Sequence, residues 1–118
     1  MFNFEKLDVW QKSVALADAI YLQTRVFPTE ERFGLTNQMR RAAISISSNI
    51  AEGSSRMSQA DFSRFIEIAA GSVFEVTSQA FIAKKQGFLS EDKFRSIHQA
   101  TEELSRMLSG LRKSLSPS

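Results

Sequence analysis

His98 is the only histidine in the chain, and that alone removes most metal chemistry. A carboxylate-bridged di-iron bundle needs a Glu-x-x-His pair from each of two helices, yet the residue three before His98 is Arg95. Cysteine is absent, which excludes disulfides, thiolate metal sites and cysteine nucleophiles together. Gly53, Gly71, Gly87 and Gly110 stand alone without the lysine spacing of a phosphate-cradling loop. Serines are plentiful, but with neither a second histidine nor a G-x-S-x-G elbow they read as helix caps and small packing residues. His98 itself reads as an exposed helix histidine without a catalytic role, because catalysis needs several groups converging on one point. The expectation is a protein that is not an enzyme, with no metal and no cofactor.

One constellation deserves a chemical reading. Arg41, Ser45, Asn49 and Glu52, and further along Ser72, Glu75 and Gln79, are polar residues at helical spacing inside apolar surroundings. If their two segments run antiparallel about a turn near Met57, residues whose numbers sum to about 114 lie level, from the common rise per residue. Arg40 or Arg41 then approaches Glu75, and Ala42 and Ala43 face Gly71 and Ser72, four small residues that let the backbones come close. A catalytic row would need an acid, a base and an open cleft together. The arrangement predicts a buried ion pair with supporting hydrogen bonds, since buried charge is normally paired.

The elements that position these residues follow from periodicity. The chain has 118 residues, 42% hydrophobic and 24% charged, which suits one domain over residues 1–118 with a genuine core. Two prolines and five glycines leave long uninterrupted stretches, favouring helices. Leu7, Trp10, Val14, Ala17, Tyr21 and Thr24 recur at three- and four-residue steps and define the core stripe of a first helix, ended by Phe27-Pro28-Thr29. A second helix, with Thr36 as N-cap, carries Leu35, Met39, Ala42, Ala43, Ile46 and Ile50 towards Gly53. Ser58 caps a third with Phe62, Phe65, Ile66, Ala69, Val73, Val76, Ala80 and Ala83, and Gly87 supplies its left-handed stop. Ser90 opens a fourth with Phe94, Ile97, Thr101, Leu104, Leu108, Leu111 and Leu115 in heptad register; residues 114–118 are expected to fray. The fold class is all-α, an antiparallel up-down-up-down four-helix bundle.

Helices one and three each carry a second apolar row: Val9, Leu16, Ile20 and Phe27 on one, Ala70, Phe74, Thr77 and Phe81 on the other. Scattered surface hydrophobes are common, but contiguous rows usually mark contacts. Val9, Leu16, Ile20, Phe74 and Phe81 are therefore assigned to a homo-oligomer interface. The most apolar segment, Phe62 to Ala83, contains Glu67 and Glu75 and is a poor membrane span. The start, Met1-Phe2-Asn3-Phe4-Glu5-Lys6, does not read as a secretory signal, so cytoplasmic residence without membrane contact is expected.

Charge is distributed unevenly along such a bundle. One end collects eight basic residues, Arg25, Arg32, Arg40, Arg41, Lys84, Lys85, Lys93 and Arg95, against Glu30, Glu31, Glu75, Glu91 and Asp92, a net of +3. The other end holds seven basic and eight acidic residues, a net of −1, so the total of +2 conceals a polarity. Cyclic symmetry places equivalent ends on one side of a ring, where their fields add and attract polyanions. These eight residues are the candidate nucleic-acid site; a solvated helix-end excess of charge is the alternative. Zinc-finger, aromatic ribonucleoprotein and defensible helix-turn-helix signals are all missing, so contact with RNA or DNA would be directed to the backbone.

The run Gln38-Met39-Arg40-Arg41-Ala42-Ala43-Ile44-Ser45-Ile46-Ser47-Ser48-Asn49-Ile50-Ala51-Glu52-Gly53 resembles the four-helix-bundle proteins encoded in intervening sequences of bacterial 23S rRNA genes. Leu7-x-Val9-Trp10-Gln11-Lys12, Phe62-x-x-Phe65 and Ala69-x-Gly71-Ser72-x-x-Glu75 carry the same resemblance, which extends over nearly the whole chain. It implies a homopentameric ring. It also implies a relation to the accessory variability protein of diversity-generating retroelements, which binds nucleic acid and a reverse transcriptase. No biochemical activity comes with the resemblance, and an origin inside an rRNA gene is not ribosome membership. Two expectations stand: a ring that binds structured RNA or DNA through a basic face, or a protein scaffold or accessory subunit that makes no such contact.

Overall fold

A computed structural model describes residues 1–116. Four helices carry the fold: α1 (Asp8–Thr24), α2 (Leu35–Ser54), α3 (Gln59–Lys85) and α4 (Glu91–Ser114), with short 3-10 turns at Asn3–Lys6 and Thr29–Glu31. Among the described residues there is no strand. Each helix packs on the two beside it in chain order and α4 closes back onto α1, giving the up-down-up-down bundle, 46 × 22 × 21 Å in extent. At 1.5 Å per residue the 27-residue α3 accounts for roughly 40 Å of the long axis.

The helix ends have local causes. Ser58 Oγ accepts from the Asp61 N–H at 3.1 Å and Ser90 Oγ from the Lys93 N–H at 3.2 Å, as expected of N-caps. Gly87 adopts φ 81°, and the next N–H, of Phe88, reaches back to the Ala83 carbonyl at 2.8 Å, closing α3 in the left-handed manner that glycine permits. The N-terminus of α2 departs from expectation. Gly34, not Thr36, is the N-cap, and Glu31 Oε1 accepts from the Leu35 N–H at 3.2 Å. A carboxylate one turn upstream does the capping, which leaves Thr36 free to sit inside the helix.

The core is built from Ile20, Met39, Ile46, Ile50, Ile66, Val73, Val76, Leu104 and Leu108, all fully buried. The stripes expected for α2, α3 and α4 are the ones used. For α1 the assignment is reversed except at Thr24, which is buried as expected. Val9, Leu16, Ile20 and Phe27 are buried in the protomer, together with Ser13 and Thr24, whereas Val14 is exposed and Leu7, Trp10 and Ala17 pack only at the margin. Two small hydroxyl residues complete the buried seam because their groups are satisfied locally: Ser13 Oγ donates to the Trp10 carbonyl at 2.7 Å and Thr24 Oγ1 to that of Ile20 at 2.7 Å. Val9, Leu16 and Ile20 are thus core residues and present no free surface to another subunit.

The C-terminal end is helical through Ser114, and Leu115 packs against the core. Expected fraying is not seen over residues 114–115; its final part, residues 117–118, lies outside the described residues. By length and composition α3 is apolar enough to cross a membrane, but much of its apolar side faces α2 and α4 as part of the bundle core.

Candidate nucleic-acid interface and self-association surface

Helices α2 and α3 approach closely along small residues. Ser45 Oγ and Ser72 Oγ share a hydrogen bond of 2.9 Å across the seam, and Asn49 Nδ2 donates to the Ser45 carbonyl at 2.8 Å and to Ser45 Oγ at 3.0 Å. Ala42 and Ala43 are buried there, but Gly71 is not part of the approach: it is exposed, with open space where a side chain would go. Gly53 takes the role expected of Gly71, because a Cβ on it would stand 2.6 Å from Phe65 Cβ.

The expected buried ion pair does not form within the protomer. Arg41 and Glu75 are both exposed and line one groove with Gln38, Ala42 and Ser45, yet among the described residues neither has an ion-pair partner. The seam of small side chains has no room for two long charged ones, so they stand at its flank in water. Arg40 is engaged elsewhere: its Nε donates to Thr24 Oγ1 at 2.8 Å and its guanidinium lies 4.6 Å from the Tyr21 ring centroid. Glu52 pairs with Arg56 at 3.1 Å, outside the polar row. The row therefore reduces to Ser45, Asn49 and Ser72, a packing motif without an acid and base in contact. Gln79 is buried, and its Oε1 has no hydrogen-bond partner.

The basic end divides into two parts. Lys84 pairs with Glu91 at 2.8 Å and Arg95 with Glu91 at 3.5 Å and with Asp92 at 3.9 Å, so Lys84 and Arg95 are matched by carboxylates. The hydrogen bond from Lys84 holds the Glu91 carboxyl below its usual range. Lys85 and Lys93 are exposed nearby. On the other side Arg25, Arg32 and Arg40 line one groove of about 280 Å3 with Thr24, Thr29 and Thr36, and no carboxylate lines it. Sequence spacing did not reveal this grouping, since the three arginines come from three successive segments brought together by the Phe27-Pro28 connector.

A third surface lies on the outside of α3. Phe74 is 68% exposed and Phe81 51%, with Ile68 and Ile82 also exposed on this helix. An open groove of about 440 Å3 runs beside Phe74 and Phe81, walled on the α4 side by Thr101, Glu102 and Ser105. His98 closes one end of this face, its ring 5.7 Å from that of Phe81 and its Nδ1 3.3 Å from Glu102 Oε1. No His, Cys, Asp and Glu group of three or more with metal-binding geometry occurs among the described residues.

Comparison with known proteins places the chain in a family. The sequence profile of the 23S rRNA-intervening sequence proteins matches residues 5–110. No curated protein matches the chain. Among solved structures, one described as a protein of unknown function from the S23 ribosomal protein family of Bacteroides thetaiotaomicron superposes with a TM-score of 0.81. It is 24% identical, and the match covers 89% of this chain and 95% of that one, a likeness of fold.

Proposed function

The chain belongs to the 23S rRNA-intervening sequence protein family, and on that footing we propose that it is a non-enzymatic bundle that assembles into a homopentameric ring and binds RNA or DNA through its basic ends. The observation that carries the reading is the exposed Phe74 and Phe81 beside an open groove on α3. Phe74 and Phe81 stand seven residues apart on one side of α3, and a pair of exposed aromatic rings beside a groove is the kind of apolar surface that marks a contact.

A ring requires a heterologous contact, in which one patch meets a different patch of the next copy. With Val9, Leu16 and Ile20 committed to the core, the complementary patch is the outer side of α1 and the turn after it, where Val14, Leu22 and Val26 are exposed. Repetition of this contact sets the basic ends side by side, so their charge adds on one face. The reading keeps the protein in the cytoplasm and off membranes, because the apolar side of α3 is shared between the core and the contact.

Pairing of Lys84 and Arg95 with Glu91 and Asp92 favours a second reading, a protein scaffold or accessory subunit, for example of a reverse transcriptase, without nucleic-acid contact. Light scattering on the purified protein, followed by titration of a labelled RNA hairpin at several salt concentrations, separates the two. The ring reading expects a mass near five times the 13.3 kDa chain and affinity that falls steeply with salt. An assembly that never binds the hairpin at low salt supports the scaffold, and a monomer overturns both.

A further inference from the structure

We infer that the groove lined by Arg25, Arg32 and Arg40 is a phosphate-binding site, the point at which a nucleic-acid backbone seats on the basic end. The inference rests on the nucleic-acid reading for the source of the phosphate, but its geometry stands apart from it.

Three features make the groove more than a patch of charge. Arg40 is held in place: Nε is bonded to Thr24 Oγ1, which itself donates to the Ile20 carbonyl, and the Tyr21 ring lies against the guanidinium. A guanidinium fixed in this way keeps its two terminal nitrogens for an oxyanion and loses little freedom on binding, which is where arginine outperforms lysine. Thr36 lines the same groove, is only 7% exposed, and its hydroxyl makes no hydrogen bond among the described residues. That hydroxyl is therefore free to donate to an oxyanion seated in the groove. Finally, Arg25 and Arg32 have no ion-pair partners among the described residues, unlike Lys84 and Arg95. Glu31, the nearest acidic residue in sequence, is turned to the Leu35 N–H.

The groove presents three guanidinium groups and no carboxylate, a lining suited to phosphate oxygens, so recognition is of the backbone. This picks one part of the basic end: Arg25, Arg32 and Arg40 bind, whereas Lys84 and Arg95 contribute mainly a background field.

The test uses the full chain and two probes, a labelled RNA hairpin and inorganic phosphate. Arg25→Gln removes an exposed charge with no structural bond, so its fold is preserved; Arg40→Gln and Arg40→Lys remove and weaken the fixed fork; Lys113→Gln at the opposite end is the control. Each groove glutamine variant should lower hairpin affinity roughly tenfold and flatten the salt slope by about 0.7–0.9 per lost contact, with Arg40→Lys between wild type and Arg40→Gln. The control should bind as wild type. In parallel, NMR titration with inorganic phosphate should shift the Thr36 and Arg40 resonances, and chloride at matched ionic strength should not. Hairpin binding that is unchanged in Arg25→Gln and Arg40→Gln overturns the site while leaving nucleic-acid binding in place. Wild-type protein that ignores the hairpin yet shows the phosphate shifts keeps the site and removes the nucleic-acid reading. Absence of both effects overturns the site.

Discussion

Gly53 of α2 lies so close to Phe65 of α3 that a Cβ added to the glycine would stand 2.6 Å from Phe65 Cβ and 3.0 Å from the Phe62 ring. Two effects compete when Gly53 becomes alanine. Helix propensity favours the change by roughly 0.5–1 kcal/mol, while forcing a methyl into a packed contact costs about 1–3 kcal/mol. The obstructing atoms include a Cβ, which cannot swing away, so the second effect wins. Gly53→Ala should lower the thermal midpoint by several degrees, about 4–8 °C per kcal/mol for a domain of this size. An unchanged or raised midpoint would mean that α2 and α3 are farther apart than described.

Gln79 buries an acceptor that nothing meets. Gln79→Met keeps the length of the side chain and removes the unsatisfied oxygen, a defect worth about 1–3 kcal/mol. The variant should unfold at higher denaturant with an unchanged slope against denaturant concentration. Destabilisation would show that Gln79 has a partner in the assembled protein.

Lys12 of α1 and Glu103 of α4 pair at 2.8 Å, and each carries the mark of the other. The hydrogen bond, aided by Coulomb attraction, holds Glu103 below its ordinary value and raises Lys12 above its own. A carboxyl with a depressed pKa in the folded state contributes stability above its unfolded pKa and loses it as pH falls through the folded one; a raised lysine contributes below its unfolded pKa and loses it as pH rises through the folded one. The pair therefore acts across the neutral range and fades at both extremes. Lys12→Met should return the Glu103 titration, followed by NMR, to the ordinary carboxylate range, with only a small change in stability because both groups are exposed. A Glu103 midpoint unaffected by the substitution contradicts the pairing.

All four helices were readable from periodicity, and the buried face was clearest where one stripe dominates: α4, for instance, buries Phe94, Ile97, Leu104 and Leu108. In α1 two stripes compete, and regular spacing favoured the wrong one. The deciding fact is that Ser13 bonds to its own helix and so enters the core as a small, satisfied group, which hydrophobicity alone does not register. Thr36 misled for a related reason, since the cap of α2 comes from Glu31 on the preceding turn. The basic end was legible as a charge count, but its division was not. That Lys84 is tied to Glu91 while Arg25 and Arg32 open onto a groove depends on the turn geometry between helices.

Self-association through the outer face of α3 is the central claim, and Phe74→Glu tests it most directly, by sedimentation velocity at micromolar concentration beside the unaltered protein. Phe74 is exposed in the protomer, so the substitution should leave the helical circular dichroism intact. In an assembled ring the same position is buried against a neighbour, where an unpaired carboxylate is strongly unfavourable. The account predicts a single oligomeric boundary for the unaltered chain and a boundary of one 13.3 kDa protomer for the variant. An unaltered chain that sediments as a monomer, or a Phe74→Glu variant that sediments as the same oligomer, would contradict it.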